Sequence, residues 1–142
     1  MKKHHTISLT LLALVLAVGL FSLYQNIGGG KLAEDFQFIT EPSRTYTPQE
    51  ISDAADVVRS FKDFRGATMT TLRYVDGASS SEKDNWAERY DKDQGLYFTC
   101  DFVTDDTAEQ SHLNANSSYQ GWFWRVARSN GGHWTIVSSG QG

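Results

Sequence analysis

The sequence predicts an α+β domain in which one long helix packs on one face of a β-sheet, preceded by a hydrophobic N-terminal segment. Apolar residues recur at helical spacing after residue 47, which indicates the long helix. Stretches rich in aromatic and β-branched residues follow, separated by turn-forming residues, which indicates the sheet. We therefore expect a signal peptide or signal anchor at 1–25, a flexible linker at 26–45 and a small extracytoplasmic α+β domain at 46–142.

The N-terminal segment has the composition of an export signal. Lys2 and Lys3 precede the run 7–24, which contains no charged residue. As a helix this run would be roughly 27 Å long, close to the thickness of the hydrocarbon core of a bilayer. The lysines predict that the N-terminus stays inside and the domain lies outside. We expect a single-pass membrane protein if the segment is uncleaved, which we favour, or a secreted protein if cleavage occurs at the small residues 17–19.

Composition excludes several classes of function. Hydrophobic residues make up 39% of the chain and aromatic residues 13%, enough to build a core without metals or disulfides. The one cysteine, Cys100, alternates with apolar residues and is expected to be a buried thiol. Without Lys2 and Lys3, 11 basic residues face 17 acidic ones, a net charge of about −6. An acidic domain without a basic cluster repels phosphate backbones, so we expect no nucleic-acid partner, and no motif indicates a metal or cofactor.

The long helix has a clear start signal. Thr47 can cap it, Pro48 suits its first position, and Glu50 completes a capping box. The apolar residues that follow form one stripe on the helix surface. The stripe consists of Ile51, Ala54, Ala55, Val58 and Phe61.

The predicted strands come after the helix and are joined by turns. The segment 86–90 predicts a short helix with Trp86 and Tyr90 on its buried side. The dipeptide Asn130-Gly131 predicts a tight hairpin between the last two strands, so we expect antiparallel pairing. The strands are expected at 67–75, 96–104, 122–128 and 134–138.

A resemblance to known domains is carried by short motifs at Tyr46–Ile51, Ala54–Val58, Trp86–Tyr90, Trp122–Trp124 and Arg128–Gly132, the last followed by Trp134. Over about residues 45–140 the chain resembles a group of small, uncharacterised extracytoplasmic domains of Gram-positive anaerobes. The resemblance implies the fold of the nuclear-transport-factor-2-like (NTF2-like) and cystatin-like superfamily, a curved antiparallel sheet around a long helix, here in a reduced version. Many such domains carry a lipid-attachment cysteine after the signal, which this chain lacks. Enzymes, binding modules and scaffolds share this fold, so the resemblance implies no activity.

Five aromatic residues near the predicted hairpin are the candidate binding residues. Rings on both faces of the strand 122–128 cannot all pack on the helix, so one face could stack on a ligand. The candidates are Tyr119, Trp122, Phe123, Trp124 and Trp134.

A second set of residues could carry acid–base chemistry. Asp101 lies mid-strand off the core side and could act as a base, assisted by Tyr74, His112 or His133. This interpretation needs at least two of these groups within hydrogen-bond reach in a cavity. We also expect an arginine of the hairpin strand to pair with Asp101 or Glu109.

Three functional hypotheses follow. The favoured one is a non-catalytic, membrane-tethered or secreted domain that binds a protein, a cell-wall component or a small ligand. The alternative is an NTF2-like pocket enzyme of the hydrolase, isomerase or dehydratase type that uses Asp101 with a His or Tyr. The third is a structural subunit of a membrane complex, although the segment 7–24 has few polar residues with which to pair specifically with another helix.

Overall fold

The computed structural model of the protein describes residues 29–80 and 84–142. The predicted signal or anchor at 1–25 lies outside the described residues. No helix among the described residues is long and apolar enough to cross a membrane. The described part is α+β, with one α-helix and one five-stranded sheet. This coarse architecture confirms the prediction from sequence.

The sheet contains the five strands in chain order, so each strand pairs with the next one along the chain. In chain order the elements are β1 (Lys31–Ile39), α1 (Pro48–Ser60), β2 (Ala67–Tyr74), β3 (Gln94–Thr104), β4 (Ser118–Arg128) and β5 (Thr135–Gly140), with short 3₁₀ helices at Asp76–Ala78, Trp86–Tyr90 and Ala108–Ser111. The strands β2 to β5 pair antiparallel, whereas β1 pairs parallel with β2.

Two expectations are wrong at the start of the domain. Residues 31–39, predicted as part of a flexible linker, form β1, and its parallel pairing makes the sheet mixed rather than antiparallel. The sequence pattern for this strand was weak, because its pairing with β2 is interrupted between Leu32 and Gln37. The strand therefore shows no sustained alternation of apolar and polar side chains. The pairing is parallel because α1 carries the chain back to the end of the sheet where β1 began, before β2 starts beside it.

The long helix forms as predicted. The Thr47 hydroxyl accepts a hydrogen bond from the Glu50 N–H at 3.2 Å, and the Glu50 carboxylate accepts one from the Thr47 N–H at 2.8 Å. This capping box satisfies two backbone donors that a helix start leaves unpaired. All five residues of the predicted apolar stripe are buried, Ile51, Ala54, Ala55, Val58 and Phe61.

The helix covers one face of the sheet. Apolar side chains from β2, β3 and β4 fill the core between this face and the helix. Along β3 the residues alternate as predicted, with every second side chain buried. We call this side the helix-covered face. Its strand residues include Met69, Leu72, Tyr74, Leu96, Phe98, Cys100, Phe102, Trp124 and Val126, each no more than 3% exposed.

The start of α1 is tied to the end of β4 by a charged contact. Arg128 forms an ion pair with Glu50, and its Nε donates to the Gln94 side chain at 2.7 Å. The same guanidinium lies 4.2 Å from the centre of the Trp134 ring, which contacts Tyr46 edge-on. One capping-box carboxylate therefore joins the helix start to the β4–β5 hairpin. The sequence predicted Asp101 or Glu109 as the acidic partner of an arginine on this strand, whereas the partner of Arg128 is Glu50.

Candidate functional site

The five predicted binding aromatics do not share one surface. Trp124 and Trp134 are buried at 3% and 7% exposure, so they belong to the core. Tyr119 and Trp122 are half-buried and pack around the Phe102 ring on the helix-covered face. Phe123 alone lies on the opposite side of the sheet, where it pairs across strands with Thr99. Most of the predicted aromatic group therefore supplies core packing.

The four predicted acid–base residues are likewise dispersed. Tyr74 is buried on the helix-covered face, and its hydroxyl donates to Asp76 at 2.7 Å. Burial is the main reason that its pKa is raised to about 12. His112 and His133 are exposed in loops, whereas Asp101 is on the other face of the sheet. Within residues 29–80 and 84–142, no hydrogen bond or ion pair joins any two of these four groups.

Asp101 is held as a paired carboxylate. Arg73 of β2 donates to it at 2.7 Å, and the Gly121 N–H donates to its other oxygen at 3.0 Å. The hydrogen bond from Arg73 is the main cause that lowers the pKa of Asp101, and the bond from Gly121 adds to it. A carboxylate stabilised in its charged form is a weak proton acceptor, so this site favours a structural or binding role over general-base catalysis.

The side of the sheet away from α1 carries a mixed aromatic and charged surface. We call it the open face and define it by Arg73, Tyr97, Thr99, Asp101, Val103, Phe123 and Arg125. The Tyr97 and Phe123 rings are stacked, with centroids 5.9 Å apart and planes 11° from parallel. Both rings are only partly buried. Val103 on β3 and Ile39 on β1 add apolar surface at its margin, at 43% and 45% exposure.

A short helix covers one end of this side of the sheet. Gly95 of β3 makes room for Trp86, because a Cβ on Gly95 would lie 2.6 Å from the indole ring. The Trp86 Nε1 donates to the Ala78 carbonyl at 3.0 Å, and the ring packs with Ala127. Arg125 lies at the boundary of the area that the short helix covers, since its guanidinium lies over the Trp86 ring at 5.6 Å and over the Phe123 ring at 5.4 Å. The surface beyond Arg125 has no such cover among the described residues.

A groove at the start of α1 is a second candidate site. Its volume is about 390 Å³, and its lining includes Pro42, Pro48, Ile51 and the side of Tyr46. The Tyr46 hydroxyl is already used, because it donates to the Gly95 carbonyl and accepts from the Gly95 N–H, both at 3.0 Å. The groove therefore offers mainly an apolar wall.

Part of the open face could be predicted from the sequence. The alternation along β3 places Tyr97, Thr99 and Asp101 together on the side away from the core. Predicting that Arg73 contributes to the open face would have required the register between β2 and β3, which the sequence does not specify. Predicting the cover over Gly95 would have required knowing that Trp86 packs on the side of the sheet away from α1.

No group of three or more His, Cys, Asp and Glu side chains in the described ranges is placed to hold a metal ion. Comparison of the chain with protein-family models, with curated proteins and with solved structures found no match.

Proposed function

We propose that this chain is a non-catalytic binding domain that binds a partner protein through its open face. The segment 7–24 holds the domain at the outer side of the membrane, or releases it if cleaved. The observation that carries the proposal is the stacked, partly exposed pair of Tyr97 and Phe123 on a sheet face that no segment within 29–80 or 84–142 covers beyond Arg125. Aromatic residues and arginines dominate the energetics of protein interfaces.

The shape of the open face favours a protein over a small ligand. Small molecules bind in concave sites that enclose most of their surface, whereas strand side chains on a sheet form a broad surface. An apolar centre with a polar rim is the usual anatomy of a protein interface. Tyr97 and Phe123 supply the centre, and the pair of Arg73 and Asp101 lies beside it.

We also propose that the fold is that of the NTF2-like and cystatin-like superfamily. The support is the order of elements, in which α1 is followed by four antiparallel strands and packs on one face of them. The filled helix-covered face supports a binding domain over a pocket enzyme. Tyr74, Phe98 and Cys100 occupy the space where a pocket between helix and sheet would lie.

Site-specific photo-crosslinking tests the binding function. A photoreactive amino acid at Val103, on the open face, should capture a defined envelope protein in intact cells of the native host. The same group at Asp53, on the exposed side of α1, is the matched control and should capture none. The substitution Phe123→Ser should abolish the adduct at Val103 while the domain stays folded, with a thermal midpoint lowered by only several degrees. Equal adducts at both positions, or an adduct insensitive to Phe123→Ser, would exclude the open face as the binding site.

A small apolar ligand is a second candidate, favoured by the groove at the start of α1. Its volume of about 390 Å³ lies within the range of small-molecule sites, about 300–1,000 Å³. Thr40→Trp places a bulky ring at the exposed rim and should block such a ligand. Binding of a fluorescent apolar probe that is lost in Thr40→Trp but kept in Phe123→Ser would assign ligand binding to the groove.

A further inference from the structure

We propose that two copies of this chain pair through the outer edge of β5, antiparallel, to form one continuous ten-stranded sheet. The inference goes beyond the proposed function and does not depend on it. It rests on the difference between the two edge strands of the sheet, β1 and β5.

The edge at β5 is available for pairing. Among the residues that the structure describes, β5 is the last strand of the sheet, so its backbone groups are hydrogen-bonded to β4 on one side only. Thr135, Ile136 and Ser139 are exposed, with Ile136 at 37%. Residues 129–142 include no Asp, Glu, Lys or Arg. Unpaired backbone donors and acceptors on an uncharged strand are a template for strand addition.

The edge at β1 is protected against the same event. Glu34 and Asp35 place two carboxylates on this strand, and both are exposed. The register moves from Leu32 opposite Met69 to Gln37 opposite Thr71, so four residues of β1 face one residue of β2. Charged side chains and bulges are the devices by which sheets prevent edge-to-edge pairing. The strand β1 has both devices, whereas β5 has no charged side chain and only a one-residue irregularity, at Val137.

A second copy fits the edge of β5 better than a charged partner strand would. The domain has a net charge of about −6, so two copies carry charge of the same sign and repel each other overall. The edge of β5 has no acidic side chain, so two copies can meet there without pairing Asp or Glu residues of this strand, and an antiparallel pair of identical strands satisfies twofold symmetry. A register centred on the middle of β5 would also cover the exposed Ile136 of each copy.

The pairing has a consequence for the open face. Arg125 lies opposite Ser138, and Phe123 lies opposite Gly140, so both are one strand from the β5 edge. In a continuous sheet the two open faces would lie on the same side. Two aromatic centres would then form one larger surface, and a partner with repeated binding motifs would gain from engaging both.

The oligomeric state of the full chain in detergent tests the proposal. Analytical ultracentrifugation should show a dimer for the parent chain and a monomer for Ile136→Lys, because a lysine on each edge repels its copy. Leu32→Lys is the matched control, since Leu32 is an exposed apolar residue on the other edge strand, and it should remain dimeric. A monomeric parent chain would overturn the proposal. So would a dimer that survives Ile136→Lys, because pairing through residues 1–28 would behave in that way.

Cross-linking keeps the test valid if Ile136→Lys fails to fold. A cysteine at Ser139 on β5 should be joined to that of a second copy by a short bismaleimide, whereas a cysteine at Gln37 on β1 should not. Cys100 is 0% exposed, so the native thiol adds no background. Equal cross-linking at both edges, or none at Ser139, would contradict pairing through β5.

Discussion

The two faces of the sheet use the same strands under different constraints. On the helix-covered face, Phe98 and Cys100 of β3 are 0% exposed. On the open face, their neighbours Tyr97 and Thr99 are half-exposed, and Asp101 forms an ion pair with Arg73. Because side chains alternate along a strand, one segment supplies both environments. The helix-covered face therefore supplies most of the buried packing, whereas the open face carries partly exposed side chains.

Cysteine reactivity gives the largest expected difference between the two faces. Burial raises the pKa of the Cys100 thiol to about 12, and the Trp124 Nε1 lies 3.1 Å from its sulfur. A cysteine introduced as Val103→Cys, on the same strand but on the open face, should have an ordinary pKa. The thiolate is the reactive form, so Val103→Cys should react with a disulfide reagent roughly a thousandfold faster or more. Stopped-flow labelling of the two thiols measures the ratio.

The control for this experiment is denaturation. In strong denaturant both thiols should react at the same rate, because burial no longer distinguishes them. Fast labelling of Cys100 in the folded protein would show that the helix-covered face opens readily, contrary to its packing.

Truncation of one phenylalanine on each face gives the next largest effect. Phe98→Ala removes a fully buried ring and leaves a cavity, so the free energy of unfolding should fall by about 3–5 kcal/mol. Phe123→Ala removes a half-exposed ring that stacks on Tyr97, so the loss should be about 1 kcal/mol. Urea unfolding followed by circular dichroism measures both. Similar losses would mean that the open face is as important for stability as the core.

The sequence predicted the helix-covered face better than the open face, for a physical reason. The capping box at Thr47 and Glu50 and the period of 3.6 residues are local signals, and the structure confirms both. The alternation along β3 is also local. By contrast, the parallel pairing of β1 and the contact of Arg73 with Asp101 depend on register between distant segments. The predicted aromatic site was dispersed because aromatic rings supply most burial in a small core.

Gly95→Ala tests the cover over one end of the sheet. The added methyl group would lie 2.6 Å from the Trp86 ring, so the ring must move and its packing with Ala127 is lost. We expect a loss of about 1–3 kcal/mol and a red shift of tryptophan emission as Trp86 becomes exposed. Gly77→Ala is the matched control, because a Cβ there meets nothing within 4 Å. A neutral Gly95→Ala would mean that the Trp86 segment does not pack on the sheet as described.

The ion pair on the open face gives the smallest expected effect, and its sign depends on pH. The folded-state pKa of Asp101 is lower than its ordinary value, mainly because of the hydrogen bond from Arg73. A carboxyl group of this kind contributes stability above the unfolded-state pKa, and the contribution is lost as the pH falls through the lower folded-state pKa. Asp101→Asn should therefore destabilise the protein by no more than about 1 kcal/mol near neutral pH, because the pair is partly exposed. The difference from the parent should shrink as the pH falls below roughly 4, where the carboxyl of the unfolded chain is itself protonated. Thermal midpoints of the two proteins across this range measure the difference. A difference in thermal midpoint that widens at acidic pH would show that the Arg73 contact does not stabilise the charged form of Asp101. The open face would then lack a fixed charge pair beside Tyr97 and Phe123.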